Sequence, residues 1–267
     1  MGFASLGSGS RGNGTVVALK PESQTRDVVF LVDCGFTLKQ TEQRLQRLGL
    51  AGGDLDAIFV THEHSDHMSG VAAVAHKYAL PVYASYGTAR NASFRCETFD
   101  GDVPFAVRDV QVNPVRVPHD AREPTQFVFD DGVEQLGILS DLGTVTAHVV
   151  EQFSTCTHLL MEANHDVQML ANGGYPPALK RRVGANYGHL SNDQALALLQ
   201  KVARQDLHVV IGHVSEQNNR EDLLTAMFAG VAEELASLQI ATQQEGFTWL
   251  GREPLSRQAS FSALGQL

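Results

Sequence analysis

Short apolar runs broken by polar, glycine-rich turns fill the first half of the chain, and stretches with helical spacing enter between them. Residues 2–6 and 14–19 read as strands on either side of a glycine-rich loop, and residues 27–35 as a buried strand that carries a carboxylate, Asp33, at its end. Leucines at 38, 45 and 48 predict a helix over about residues 37–48 that stops at Gly49. The apolar run 55–60 predicts another buried strand, residues 68–78 a helix and residues 81–84 a strand. Alternating strands come next, near residues 103–107, 110–117, 126–130 and 135–139. Helices resume from about residue 144. One spans 192–204 behind a capping box made by Ser191 and Gln194, and an amphipathic one spans 221–237. Residues 247–250 read as a closing strand and 251–267 as a surface or mobile tail. Strands too closely spaced for repeated βαβ units, then helices, then strands and helices again, predict an α/β chain of two packed sheets flanked by helices. One domain over residues 1–267 is the expectation.

Between the strand at 55–60 and the helix at 68–78 lies Thr61-His62-Glu63-His64-Ser65-Asp66-His67. Five of these seven side chains can ligate a divalent metal, and no lysine or arginine among them compensates the charge. Side chains two apart on extended backbone point the same way. His62 and His64 can therefore grip one ion, while Asp66 and His67, at the turn into the helix, face a neighbouring one. A merely solvated loop suits one isolated histidine better than four ligating side chains within six residues.

Other residues have two readings each. Asp33, buried at a strand end, needs hydrogen-bonded partners and either braces the metal loop or caps the next helix. The loop over residues 7–14, with Ser8, Ser10 and Asn13, is either a flexible turn or a place where backbone N–H groups approach a phosphate. Lys180, Arg181 and Arg182 form either a solvated face or a phosphate contact. His119, Asp141 and His213 each stand just past a predicted strand, where a ligand sits on rigid scaffold.

Composition narrows the partners. At 267 residues, 43% hydrophobic and without a low-complexity block, the chain can bury a large core. A net charge of −10 argues against a general nucleic-acid-binding surface, although a metal pair would neutralise part of it locally. Three widely spaced cysteines, Cys34, Cys96 and Cys156, give neither a disulfide framework nor a cysteine–zinc knuckle. With no signal-like start and no apolar stretch of membrane-spanning length, a soluble cytoplasmic protein is expected.

The HxHxDH run between strand and helix resembles the signature of the metallo-β-lactamase superfamily. The resemblance implies an αββα sandwich of two mixed sheets and a dinuclear metal hydrolase. It implies that His62, His64 and His119 hold one ion, that Asp66, His67 and His213 hold the other, that Asp141 bridges them, and that Asp33 braces the loop. The aspartates at 66 and 141 are unlike the antibiotic-hydrolysing branch, which places a cysteine in its second site. Glu162, at the end of a strand, and His189, in Gly188-His189-Leu190-Ser191, resemble elements of RNase Z-like phosphodiesterases. The opening FASLGSGSRGNG, EANHD, the run from Tyr175 to Arg182, GHLSN and the final HVSEQNN are together similar to the bacterial YycJ/WalJ-type branch, which is associated with exonuclease action on DNA.

The function this resemblance implies is that of a metal-dependent phosphodiesterase acting on nucleic acid, most simply DNA. A water between two ions is the nucleophile, Asp66 orients it as well as ligating, and His189, supported by Glu162, acts as acid on the leaving oxygen or stabilises the transition state. Histidine and carboxylate ligands suit zinc, manganese and iron alike. A glyoxalase II-like thioesterase would use the same ligands but has no need of Glu162, His189 or the basic run. A non-catalytic metal-binding regulator is the third reading. Oligomeric state is not legible.

Overall fold

The computed structural model describes residues 1–254; the predicted tail from 251 onward falls largely outside them. Among the described residues fourteen strands carry the fold: β1 (Gly2–Gly7), β2 (Gly14–Leu19), β3 (Val28–Val32), β4 (Ala57–Val60), β5 (Val82–Ser85), β6 (Glu97–Phe99), β7 (Phe105–Val107), β8 (Val110–Arg116), β9 (Thr125–Asp130), β10 (Gln135–Leu139), β11 (His158–Glu162), β12 (His208–Gly212), β13 (Ser237–Ile240) and β14 (Phe247–Gly251). They make two seven-stranded sheets, ordered β14-β1-β2-β3-β4-β5-β6 and β13-β12-β11-β10-β9-β8-β7. Each is half antiparallel and half parallel. The parallel pairs run β3 to β6 in one sheet and β10 to β13 in the other.

Period-two alternation sorts the side chains into three apolar layers. Phe30, Phe59, Leu160 and Val210 point between the sheets and meet Phe127, Phe129 and Ile138. Their neighbours Leu31, Ile58 and Val60 point outward against helices α1 (Leu38–Arg47), α2 (Ser65–Met68) and α3 (Val71–Tyr78), with Leu45, Val71 and Val74 in that layer. After α4 (Tyr86–Ala89) the helices resume as α5 (Ala147–Phe153), α6 (Val167–Asn172), α7 (Pro177–Val183), α8 (Asn192–Val202) and α9 (Glu221–Ala232). Phe153, Leu198, Leu199 and Phe228 from α5, α8 and α9 cover Leu159, Met161, Val209 and Ile211 on the outer face of the second sheet. Sheets covered on both faces explain why β1 to β4 and β11 read as continuous apolar runs. Among the described residues no helix is long and apolar enough to cross a membrane.

Two predicted helices differ. The stretch 68–78 is split between α2 and α3, because the Gly70 N–H donates to the Cys34 carbonyl at 2.8 Å while the Asp66 carbonyl it would meet in a continuous helix accepts from the Asn13 N–H at 2.7 Å. The helix expected over 221–237 stops at Ala232, and Ser237 already begins β13, which pairs with β12. Sheet pairing at that edge outweighs the continuing helical pattern.

The ends that matter lie on one side. The carboxyl ends of β3, β4, β10, β11 and β12, with the loop after β8, gather Asp33, Thr61, Asp141, Glu162, His213 and His119 beneath a common cleft that Asp141 and His213 line, the usual place for a site in a sheet with parallel strands.

Candidate active site

Asp33 leaves β3 in the left-handed region (φ 60°) and anchors the loop beyond β4. Its Oδ1 accepts the Thr61 amide at 2.8 Å, and its Oδ2 accepts both the Thr61 hydroxyl and the His67 Nδ1–H at 2.8 Å. The Thr61 proton being spent on Asp33, its oxygen takes the Nδ1–H of His62 at 3.0 Å, which leaves His62 Nε2 a lone pair. His119 is fixed likewise, with Nδ1 donating to the Gly188 carbonyl at 2.9 Å. Helix α1 is capped by Thr37, so Asp33 is not the cap that the alternative reading required.

The result is a crowd of acceptors. His62 Nε2 lies 2.9 Å from His64 Nδ1, and His119 Nε2 lies 3.3 Å from the same atom. Burial holds His62 well below its ordinary pKa and lowers that of His119, so both imidazoles are neutral. Converging lone pairs repel unless a cation sits among them. The second crowd is beside it: His67 Nε2 is 2.9 Å from Asp141 Oδ2 and 3.5 Å from Asp66 Oδ2, and His213 Nδ1 is 2.8 Å from Asp141 Oδ2. Asp141 Oδ2 and His213 Nδ1 are buried and lack an aligned hydrogen bond. Burial disfavours a charged His67, yet Asp141, Asp33 and Asp66 together push its pKa well above the usual value. Burial also opposes ionisation of Asp141, and His213 and His67 outweigh it. Negative charge at this density, with orphaned donor atoms aimed inward, fits divalent cations. Donor atoms of His62, His64 and His119 lie within 4.8 Å of one another, and so do those of Asp66, His67 and His213. Asp141 reaches both groups, its Oδ1 standing 3.7 Å from His119 Nε2.

Backbone strain collects here. Asp33, Asp141 (φ 51°) and His213 (φ 49°) are all left-handed at strand ends, a conformation that surrounding bonds must enforce. Gly35 allows the closest approach, since a side chain there would stand 1.8 Å from the Asp66 carbonyl oxygen.

Glu162 is fully buried under the far wall. Its Oε2 accepts the Leu142 amide at 2.9 Å and the Leu190 amide at 3.2 Å, and its Oε1 accepts the His189 Nδ1–H at 2.6 Å. His189 lines the cleft, and its Nε2 has no partner among the described residues. Burial would neutralise this imidazole, but Glu162, Asp141 and Asp66 raise its pKa to about 9.

The expected phosphate contacts divide. Ser8 and Asn13 lie beneath the site, not in the cleft. Ser8 Oγ accepts the His213 amide at 2.7 Å, tying β1 to the end of β12, and Asn13 Nδ2 stands 3.0 Å from His67 Nε2. They brace the site from below, Ser8 at the end of β12 and Asn13 at the metal loop, where its N–H also donates to the Asp66 carbonyl at 2.7 Å. Ser10 is exposed and lines the cleft. Lys180 turns away to the Ala171 carbonyl at 2.7 Å, and Arg181 is exposed outside the cleft. Arg182 alone of the basic run lines it, paired with Asp120.

Sequence reasoning missed Thr61 as the relay between Asp33, His62 and His67, and it missed Asp120, whose Oδ1 stands 3.5 Å from His119 Nε2. It also missed Tyr175 and Leu179 as cleft residues. Adjacency of Asp120 to His119 was the one available signal. Cys34 and Cys156 are buried, which pushes their thiols up to about 11 and about 12, so neither is a nucleophile.

Residues 29–213 match the family described as a beta-lactamase superfamily domain. The exodeoxyribonuclease YycJ of Bacillus anthracis is 36% identical over 245 residues, 87% of this chain and 89% of that protein. The chain belongs to the metallo-β-lactamase superfamily, in its YycJ/WalJ-type branch. The exodeoxyribonuclease WalJ of Streptococcus pneumoniae is 32% identical over 83% of this chain and 84% of its own length. The metallo-β-lactamase fold protein YhfI from Bacillus subtilis superposes with a TM-score of 0.69 at 15% identity, covering 93% of this chain and 98% of that one. The two mixed sheets with flanking helices are therefore those of the superfamily.

Proposed function

We propose that this chain is a two-metal phosphodiesterase that trims DNA from an end, working in the cytoplasm. As a hydrolase of the superfamily it needs divalent cations. His62, His64 and His119 would hold one, Asp66, His67 and His213 the other, and Asp141 both. When bound, the ions supply a water of lowered pKa and neutralise charge on a phosphoryl group. Everything else falls to the protein. Asp66, at the cleft side of its ligand group, accepts the proton of the attacking water, and His189 Nε2 donates one to the departing sugar oxygen. Glu162 keeps His189 oriented and charged. Arg182 meets the phosphate without reading bases.

The observation that carries the reading is the buried Glu162–His189 pair, set against Asp141 with its free nitrogen at the cleft. A thioester hydrolase expels a thiolate, which departs without a proton and gives such a pair no task. The sequence similarity to two exodeoxyribonucleases supports a nucleic-acid substrate over a small thioester. The deciding experiment supplies the reconstituted protein with end-labelled single- and double-stranded DNA and RNA and tracks the products. Mononucleotides released from a DNA end are expected. Turnover of a glutathione thioester with none of DNA would reject the reading.

Two consequences are measurable. In Asp33→Asn, which suits the left-handed backbone there, a carboxylate oxygen that accepts the Thr61 hydroxyl and the His67 Nδ1–H is replaced by an NH2 donor, so metal affinity should fall about 10–100-fold in chelator competition. Unchanged affinity would make Asp33 purely a loop anchor. For DNA binding, Arg182→Ala should lower the log–log salt slope by about 0.7–0.9, one phosphate contact. Adding Lys180→Ala should change it no further, because that ammonium is turned to a carbonyl.

A further inference from the structure

His213 leaves β12 in the left-handed region, φ 49°, and the direction of its side chain depends on that backbone. A residue with a β-carbon keeps this conformation only where its surroundings hold it there. Relaxation to negative φ would swing the Cα–Cβ bond and carry Nδ1 away from Asp141 Oδ2, 2.8 Å distant. The strand ladder does not supply the hold. It ends at Gly212, whose carbonyl accepts the Ala163 N–H at 3.2 Å. Beyond that point both main-chain polar groups of His213 are met by side chains. Its N–H donates to Ser8 Oγ at 2.7 Å, and its carbonyl accepts from Asn164 Nδ2 at 3.0 Å. The two side chains come from different elements, the loop after β1 and the end of β11, 205 and 49 residues away in sequence.

We infer that Ser8 and Asn164 are a positioning pair that holds residue 213 left-handed and so aims the His213 imidazole at the second ion. The inference rests on His213 as a ligand of that ion and is independent of the substrate. Geometry makes the pair more than two satisfied hydrogen bonds. The N–H of His213 lies in the peptide plane before its Cα and the carbonyl in the plane after it, so fixing both planes fixes φ and ψ together. Either bond alone leaves one plane free to turn. The holders are themselves held. The Ser8 N–H donates to the Thr242 carbonyl at 3.1 Å, and Gly212 makes room, since a β-carbon there would stand 2.8 Å from Ser8 Oγ. Asn164 donates its N–H to the Leu190 carbonyl at 3.1 Å and accepts the Ser215 N–H at 2.9 Å. It is thereby bound to the segment that follows His189 as well as to the one that follows His213. Ser8, Asn164 and His213 are all buried, so water does not compete for these bonds.

Cobalt binding tests this without substrate. Cobalt(II) is titrated into metal-free wild type, Ser8→Ala, Asn164→Ala, the double variant and His213→Gly, with visible absorption followed and circular dichroism taken on the same samples. Glycine keeps the left-handed backbone at 213 and removes the imidazole. The bands that His213→Gly loses mark the second ion. In either single variant those bands should need about 10-fold or more cobalt to develop, the scale of an outer partner of a ligand, and saturating cobalt should restore them. The remaining bands should titrate as in wild type. The double variant should lose little beyond either single one, because one free plane already releases the backbone. Second-ion bands that develop at wild-type cobalt in the single variants overturn the inference, as do equal weakening of both ions or losses that simply add in the double variant. Should one single variant fail to fold, the other still decides against His213→Gly. Retention of every band in His213→Gly rejects the ligand assignment itself and the inference with it; loss of bands there, with unchanged titration in the pair, rejects the inference alone.

Discussion

Asp141→Asn should bring metal content from about two ions per chain to one or fewer and lower turnover by about 10³-fold or more. Asparagine is the informative replacement because residue 141 is left-handed, a conformation asparagine tolerates and alanine does not. Backbone and shape stay, and only the charge goes. That charge is shared, with Oδ2 at 2.9 Å from His67 and 2.8 Å from His213 and Oδ1 turned to His119. Without it the two histidine groups lose their common anion. An ion pair that stabilises a phosphoryl transition state supplies several kcal/mol, at about 1.4 kcal/mol for each factor of ten. Metal analysis and circular dichroism on the same sample decide the matter. A folded variant that keeps two ions and full activity would end the bridging assignment.

His189→Ala should separate chemistry from assembly. Its proposed work is on the substrate, so both ions should remain. Hydrolysis of DNA, whose leaving group is a poor alkoxide, should fall about 10²–10⁴-fold, the usual worth of a positioned acid. An activated aryl phosphodiester departs with little need of a proton and should lose much less. Equal losses would favour general electrostatic stabilisation instead. The pH profile carries a second sign. The acid works protonated, so the wild-type rate on DNA should decline as pH rises through the pKa of His189, about 9 without metal. Bound cations disfavour a charged imidazole and move that limb below this value. The limb should vanish in His189→Ala. Loss of metal in the variant would make His189 a ligand, as its place near Asp141, Glu162 and His213 permits.

Periodicity located most strands within a residue or two, because runs buried on both faces leave an unambiguous apolar signal. It did not show β6 or β13, edge strands of three and four residues whose partly exposed side chains carry little pattern. The ligand loop was legible because its chemistry is local, with five ligating side chains in seven residues and no compensating cation. Asp33 was legible for a similar reason, a carboxylate at the end of an apolar run.

Ser8 and Asn13 show the limit. Their residue types suit a phosphate as well as a backbone brace, and only the contacts of their loop with the end of β12 and with the metal loop assigned them inward. Lys180, Arg181 and Arg182 are indistinguishable by charge, yet the turn of α7 sends one into the cleft, one to a carbonyl and one to solvent. The layered α/β fold and the metal-ligating loop are both specified among neighbouring residues, since burial periodicity and dense ligand chemistry are local properties of a chain. Which distant strand ends meet, which tautomer each histidine takes and which wall faces the substrate emerge only once the chain has folded. Those depend on distances between residues far apart in the chain, and a linear pattern of residue types does not contain them.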